Sequence, residues 1–220
     1  QFSENSFDKK LIENLKSSNH ILISIAPVGG EDIVVKNFKN ILDNSKIKWI
    51  TYLSATSVYG NHNGKWVDEN SDTKPTSSNG IDRLNAEKSW SDFAEKKNLP
   101  LQIFRLSGIY SNQNNILSKL KNGNIKIIDK KNQFFSRIHV EDIANILFKS
   151  LQNFKSKEIY NISDDKPASS EELILHGSKL LKIKKPKIAD LSTIESQIGK
   201  NFYKDSKKVN NKKMKEFFNY

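Results

Sequence analysis

Hydrophobic and polar positions follow two alternating periods along this chain. Between residues 7 and 16, Phe7, Leu11, Ile12 and Leu15 recur at helical spacing. Residues 20–25, HILISI, form a short apolar run rich in β-branched side chains, and the Ala26-Pro27-Val28-Gly29-Gly30 that follows is a turn signal. Residues 31–42 return to the helical period, with Ile33, Val34, Phe38, Ile41 and Leu42 on one side. A second strand is expected over 49–53 and a long polar loop over 56–79. A helix with Leu84, Ala86, Trp90, Phe93 and Ala94 facing inward is expected over 80–97, and a third strand over 101–106. Further along, the pattern predicts helices over 114–121, 143–151 and 169–181, the last opened by a Ser169/Glu172 capping box. Short strands are expected at 125–128, 134–138 and 158–162, and a final helix over 207–218.

Strands alternating with helices of this length define βαβ units and a mostly parallel sheet. The expected fold class is therefore α/β, with a doubly wound, mostly parallel sheet. Residues 111–220 read as returning core elements (about 134–165), a small α/β lobe and a C-terminal helix. Ligands of such sheets sit beyond the carboxyl ends of the strands, which here are residues 26–30, 54–62 and 106–115.

Composition narrows the chemistry. With 220 residues, 36% hydrophobic, the chain is long enough for a core without covalent staples. It has no cysteine, which rules out disulfides, thiolate metal sites and cysteine nucleophiles. No two histidines have ligand spacing, so no metal is expected. No apolar run approaches the about 20 residues that cross a bilayer, and the polar start QFSENSFDKK has no signal-peptide character. The expectation is a soluble, cytoplasmic protein with no membrane partner. The net charge of +11 comes mostly from lysine spread along the chain; only residues 206–215 are locally dense. No aromatic pattern accompanies that basic tail, so nucleic acid is not an expected partner.

Several stretches together resemble one superfamily. Residues 52–60, YLSATSVYG, resemble the strand and loop ending in VYG of extended short-chain dehydrogenases/reductases. Asp68-Glu69 followed by Pro75, the run Phe104-Arg105-Leu106-Ser107-Gly108-Ile109-Tyr110, residues 136–144 (SRIHVEDIA) and residues 159–163 (IYNIS) resemble further motifs in the family's order. The similarity spans about residues 19–172 and is closest to the atypical NAD-dependent epimerase/dehydratase-like branch.

The resemblance implies a small-molecule substrate, a sugar-nucleotide or small carbonyl, together with NAD or NADP and pairing into a homodimer. It places the cofactor against Ala26, Pro27, Ser54, Arg83 and Leu106, and the substrate against Tyr59, Trp66, Ser107, Gly108 and Arg137. The family's chemistry uses a tyrosine acid/base, a nearby lysine that lowers its pKa and a Ser or Thr that orients substrate. Those positions hold Asn79, Arg83 and Ala55. An amide neither takes nor gives a proton near neutral pH. Catalytic groups stay open, with Thr56, Tyr59 and His62 as candidates. The alternative is a non-catalytic module that senses a dinucleotide or holds a partner.

The family's glycine-rich phosphate loop is missing from the sequence, and Gly29-Gly30 lacks its spacing. By the resemblance, the chain is an incomplete doubly wound, Rossmann-like sheet with a small C-terminal substrate lobe: residues 1–110 are a partial nucleotide-binding core whose first strands are absent, and residues 20–25 are its fourth strand, at an apolar sheet edge. Three alternatives stay open for a chain that starts with Gln1: it is a piece of a longer protein, its sheet is completed by another chain, or it has diverged.

Overall fold

The computed structural model describes residues 7–42, 46–123 and 125–220. In chain order the first half runs α1 (Lys9–Ser17), β1 (His20–Ile23), α2 (Ile33–Phe38), β2 (Trp49–Ala55), a 3-10 turn (Thr56–Tyr59), β3 (Trp66–Val67), α3 (Ser78–Lys97), β4 (Leu101–Leu106) and β5 (Gly108–Tyr110). The second half runs α4 (Ile116–Lys121), β6 (Ile127–Ile128), β7 (Arg137–His139), α5 (Val140–Gln152), β8 (Glu158–Ile162), α6 (Ser170–Leu180), β9 (Ile188–Ala189), α7 (Gln197–Lys204), β10 (Lys208–Val209) and α8 (Lys212–Phe218).

The main sheet is wholly parallel, in the order β1-β2-β4-β8. Side chains alternate across it, because successive residues of a strand point to opposite faces. Ile21, Ile23, Ile50, Tyr52, Leu101 and Ile103 share one face and form a core with Trp90 and Ala94 of α3 and Phe38 of α2. Trp90 is fully buried, stacks on Tyr52 at 6.3 Å, and donates from its indole nitrogen to Asp32 at 3.1 Å. Phe104, Leu106, Tyr160 and Ile162 face the other way, onto Ile143 and Ile146 of α5 and Met214 and Phe218 of α8. Helices thus cover both faces, the doubly wound arrangement that the alternation of periods predicts. Among the described residues β1 pairs with β2 alone, so it is the expected sheet edge, and Leu22 on its outer face is half exposed.

Local chemistry accounts for several boundaries. The predicted helix over 31–42 is shorter, Ile33–Phe38, and its start is set by Asp32, whose Oδ1 accepts from Val34 and Val35 at 2.9 and 3.0 Å. The predicted strand over 134–138 shifts to Arg137–His139, and His139 then caps α5, accepting from the Glu141 amide. The predicted helix over 114–121 starts at Ile116, where Asn115 accepts from Ser118. The last predicted helix loses its first residues. Lys208–Val209 instead pair as a strand with Trp66–Val67, and the Asn210 side chain accepts from the Lys212 amide to start α8. The locally basic tail is partly inside the fold, since Ser206 and Lys207 are buried.

The Ser169/Glu172 capping box forms in full, with Ser169 Oγ accepting from the Glu172 amide at 3.0 Å and Glu172 accepting from the Ser169 amide at 2.8 Å. Ser169→Ala is expected to lower stability by about 1 kcal/mol, measured as a lower urea midpoint with an unchanged slope.

Candidate functional site

The carboxyl end of β2 delivers Ala55 and then the 3-10 turn Thr56–Tyr59. Ala55 and Thr56 are half-buried there. Tyr59 is not on the open loop surface. It is fully buried, its hydroxyl donates to Asn161 at 2.7 Å, and the Arg105 guanidinium lies 4.9 Å over its ring. Burial pushes its pKa up to about 12, against the opposing pull of Arg105 and Asn161. A tyrosine held this way is a poor proton carrier near neutral pH. His62 places Nε2 3.1 Å from both the Tyr59 and the Asp72 carbonyl oxygens, so this nitrogen donates and ties the loop together. Trp66 is 57% exposed and borders a pocket of about 300 Å³ with Asp164, Asp165, Val209, Asn210 and Asn211.

Ser54 follows the alternation of β2 to the α3 side. It is buried, and its hydroxyl donates to Glu87 at 2.5 Å. Glu87 in turn holds Arg105 through two hydrogen bonds of 3.0 and 2.7 Å, with both side chains 5% exposed. Glu87, Asp32 and Asn161 carry much of the site's framework and were not singled out by the sequence reading. The i,i+4 spacing of Arg83 and Glu87 on α3 gives no signal of this role, because Glu87 pairs with Arg105 from β4 while Arg83 bonds the Leu53 carbonyl.

Asn79 is exposed in the first turn of α3. Arg83, one helical turn further, is half-buried and donates to the Leu53 carbonyl at 2.5 Å. The same guanidinium lies near Tyr52, whose pKa burial drives up to about 12 while Arg83 pulls it down. Gly80 seats this helix end, since a Cβ there would meet the Ser57 carbonyl oxygen at 2.7 Å.

The turn after β1 is closed on itself. Val28 and Glu31 exchange backbone hydrogen bonds of 3.0 and 3.2 Å around Gly29 and Gly30, both at positive φ. The N-terminal amides of α2 already face the Asp32 carboxylate. A diphosphate needs free amides at such a helix end. The described residues around Ala26 and Pro27 therefore do not fit the diphosphate of a dinucleotide.

On the far side, Leu106 and Ser107 are buried, and the Ser107 hydroxyl has no protein partner among the described residues. The Gly108 amide donates to Ser136 at 3.1 Å. Arg137 donates to the carbonyls of Phe135 and Ala168 at 3.2 and 3.4 Å and lies beside Asp164. Burial raises the Asp164 pKa, against the opposing pull of the Lys166 amide and Arg137. The C-terminal segment binds the loops of both sides. Lys207 donates to the Gly60 carbonyl at 2.9 Å, Thr76 donates to Asp205 at 2.8 Å, and the Ser206 hydroxyl donates to Asn132 at 2.6 Å. No group of three His, Cys, Asp or Glu side chains is disposed to hold a metal among the described residues. No helix among them is long and apolar enough to cross a membrane.

The parallel sheet, the cleft at its carboxyl ends and the VYG turn define a Rossmann-like short-chain dehydrogenase/reductase fold. Residues 33–163 match the family described as NAD dependent epimerase/dehydratase, and the chain belongs to that family. A solved structure of a functionally unknown conserved protein from Silicibacter pomeroyi is 37% identical, with a TM-score of 0.87 over 94% of this chain and 73% of that one. UDP-glucuronic acid 4-epimerase from Bacillus cereus, solved in complex with NAD, is 18% identical, with a TM-score of 0.78 over 100% of this chain and 73% of that one. A double mutant of dTDP-glucose 4,6-dehydratase from Streptomyces venezuelae, with NAD bound, is 15% identical, with a TM-score of 0.76 over 96% and 70%. No curated protein matches this sequence.

Proposed function

We propose that the cleft binds a nucleotide-linked sugar and the nicotinamide–ribose end of a dinucleotide, and that this chain carries no tyrosine-dependent hydride chemistry. One observation carries the reading. The three positions that would move a proton and orient the reacting group hold an exposed amide (Asn79), a guanidinium directed at the Leu53 carbonyl (Arg83) and a methyl group (Ala55). The other candidates are no better placed for proton transfer: Tyr59 is buried beneath Arg105, and His62 is bonded to backbone carbonyls. Family membership and neighbours solved with NAD support the ligand class. Within this reading the second half of the chain supplies the substrate lobe. Trp66 offers the sugar an exposed ring face, and the carboxylates and amides around its pocket suit hydroxyl groups.

The dinucleotide contact is expected to be weak, because the described residues offer no amide cradle for the diphosphate. Titration of NADH and of a UDP-sugar, followed by tryptophan fluorescence, tests the reading. The UDP-sugar is expected to change the Trp66 signal saturably. Arg83→Ala is expected to weaken NADH about tenfold or more, the worth of one charge-assisted hydrogen bond. Steady consumption of NAD with a sugar-nucleotide substrate would overturn the non-catalytic part. Absence of any saturable signal from a folded sample would overturn the binding part.

A further inference from the structure

A second surface has its own chemistry. Residues 116–128 and 173–189 hold α4, β6, the part of α6 after its acidic first turn, and β9, and they pack together around Leu120, Ile127 and Ile174. These two stretches carry three and five lysines and contain no Asp, Glu, Arg, Phe, Trp or Tyr. All eight lysines are exposed. One ion pair to them is found among the described residues, Lys185 with Glu171 at the long distance of 4.0 Å. The lysines are interleaved with aliphatic residues that the fold leaves outside: Leu180 is 60% exposed, Ile183 42% and Ile188 59%.

The local backbone explains why these residues sit outside. Helix α6 ends in a reversal with Lys182 at φ 53°, where the Lys182 amide donates to Lys179 and the Ile183 amide to Ser178. That turn sets Leu180 and Ile183 at the helix end. Pro186 follows, and the chain then enters β9 with Ile188 exposed beside Lys187. The outcome is an end of the molecule where lysines and exposed aliphatic side chains outnumber the carboxylates, which lie at its border as Asp129, Glu171, Glu172 and Asp190.

We propose that this end docks onto the surface of an anionic lipid bilayer. Leu180, Ile183 and Ile188 would enter the boundary between headgroups and acyl chains, and the surrounding lysines would meet lipid phosphates. Lysine suits this role because its alkyl stem lies along apolar surface while the ammonium reaches the headgroups. Attraction of clustered lysines to anionic leaflets is additive and falls off within a Debye length. Nucleic acid fits the surface less well, since bases need aromatic or guanidinium planes to stack on, and these stretches have neither. The contact is peripheral and needs no spanning helix, so it is compatible with the absence of one among the described residues.

Co-sedimentation of the full chain with phosphatidylcholine vesicles, with and without phosphatidylglycerol, tests this. The chain is expected to pellet only with the anionic vesicles and to be released by high salt. Lys184→Glu with Lys185→Glu is expected to weaken binding at least tenfold. Leu180→Gln with Ile183→Gln is expected to weaken it several-fold while leaving the salt dependence unchanged. These side chains are exposed, so unchanged circular dichroism serves as the folding control. Three results would overturn the proposal: no pelleting with anionic vesicles, equal pelleting with neutral ones, or tighter binding to RNA that is indifferent to the aliphatic substitutions.

Discussion

Glu87→Ala is expected to lower the stability of this protein by about 3–5 kcal/mol, a large part of the about 5–15 kcal/mol that holds a typical domain folded. The carboxylate lies between β2, β4 and α3. It accepts from Ser54 and, twice, from Arg105, and the pair is 5% exposed. Removing it leaves a guanidinium buried in the core with only the Tyr59 ring facing it, and a serine hydroxyl without its acceptor. The cost is that of a stranded charge rather than of a lost attraction. A double replacement, Glu87→Leu with Arg105→Met, removes both charges and is expected to be much milder than the single change. Urea unfolding of the two variants separates these terms. A single-variant loss below about 1 kcal/mol, the range of exposed pairs, would mean that water reaches the pair and that the burial argument fails.

This ion pair also shows where a linear reading of the chain stops. Periodicity is a local signal. It was sufficient for the parallel sheet and for caps such as Ser169 with Glu172, whose partners lie within one turn, whereas the edge position of β1 came from the family resemblance. Interactions across long sequence distances have no such signature. Lys207 sits in a locally dense basic run, yet the fold gives it the Gly60 carbonyl, from a loop far away along the chain. The same holds for Lys208–Val209, which read as the start of a helix until β3 is available as a strand partner. The candidate site divides along the same line. Ala55, Asn79 and Arg83 follow from motif position, and the structure adds what Arg83 touches. Tyr59 reads as a cleft residue because its segment follows the carboxyl end of a strand, and the fold then brings Arg105 and Asn161 over it. Ser54 was legible in principle: the period of two that turns Ile50 and Tyr52 toward α3 turns Ser54 with them.

Gly60→Ala is expected to cost about 3 kcal/mol or more, and it tests how the cleft loop is held. Gly60 ends the 3-10 turn at φ 66° and ψ −145°, a backbone region that is nearly glycine-only and costs other residues about 1–3 kcal/mol. Space is also lacking. A Cβ would stand 1.7 Å from the Lys74 carbonyl oxygen and 2.6 Å from its carbon, both backbone atoms that cannot swing aside. Relief requires moving the strand-like contact between Gly60 and Lys74, and with it the Lys74 amide bond to Tyr59 and the Lys207 bond to the Gly60 carbonyl. Gly29→Ala is the matched control. It also sits at positive φ, 62°, but nothing lies within 4 Å of its Cβ, so only the backbone cost of about 1 kcal/mol is expected. Unfolding midpoints for the two variants, read alongside the Trp66 fluorescence, separate strain from crowding. If both substitutions cost the same, the close approach of residues 60 and 74 does not hold the loop in solution. If Gly60→Ala costs more and also alters the Trp66 signal, the geometry of the pocket depends on a single position without a side chain.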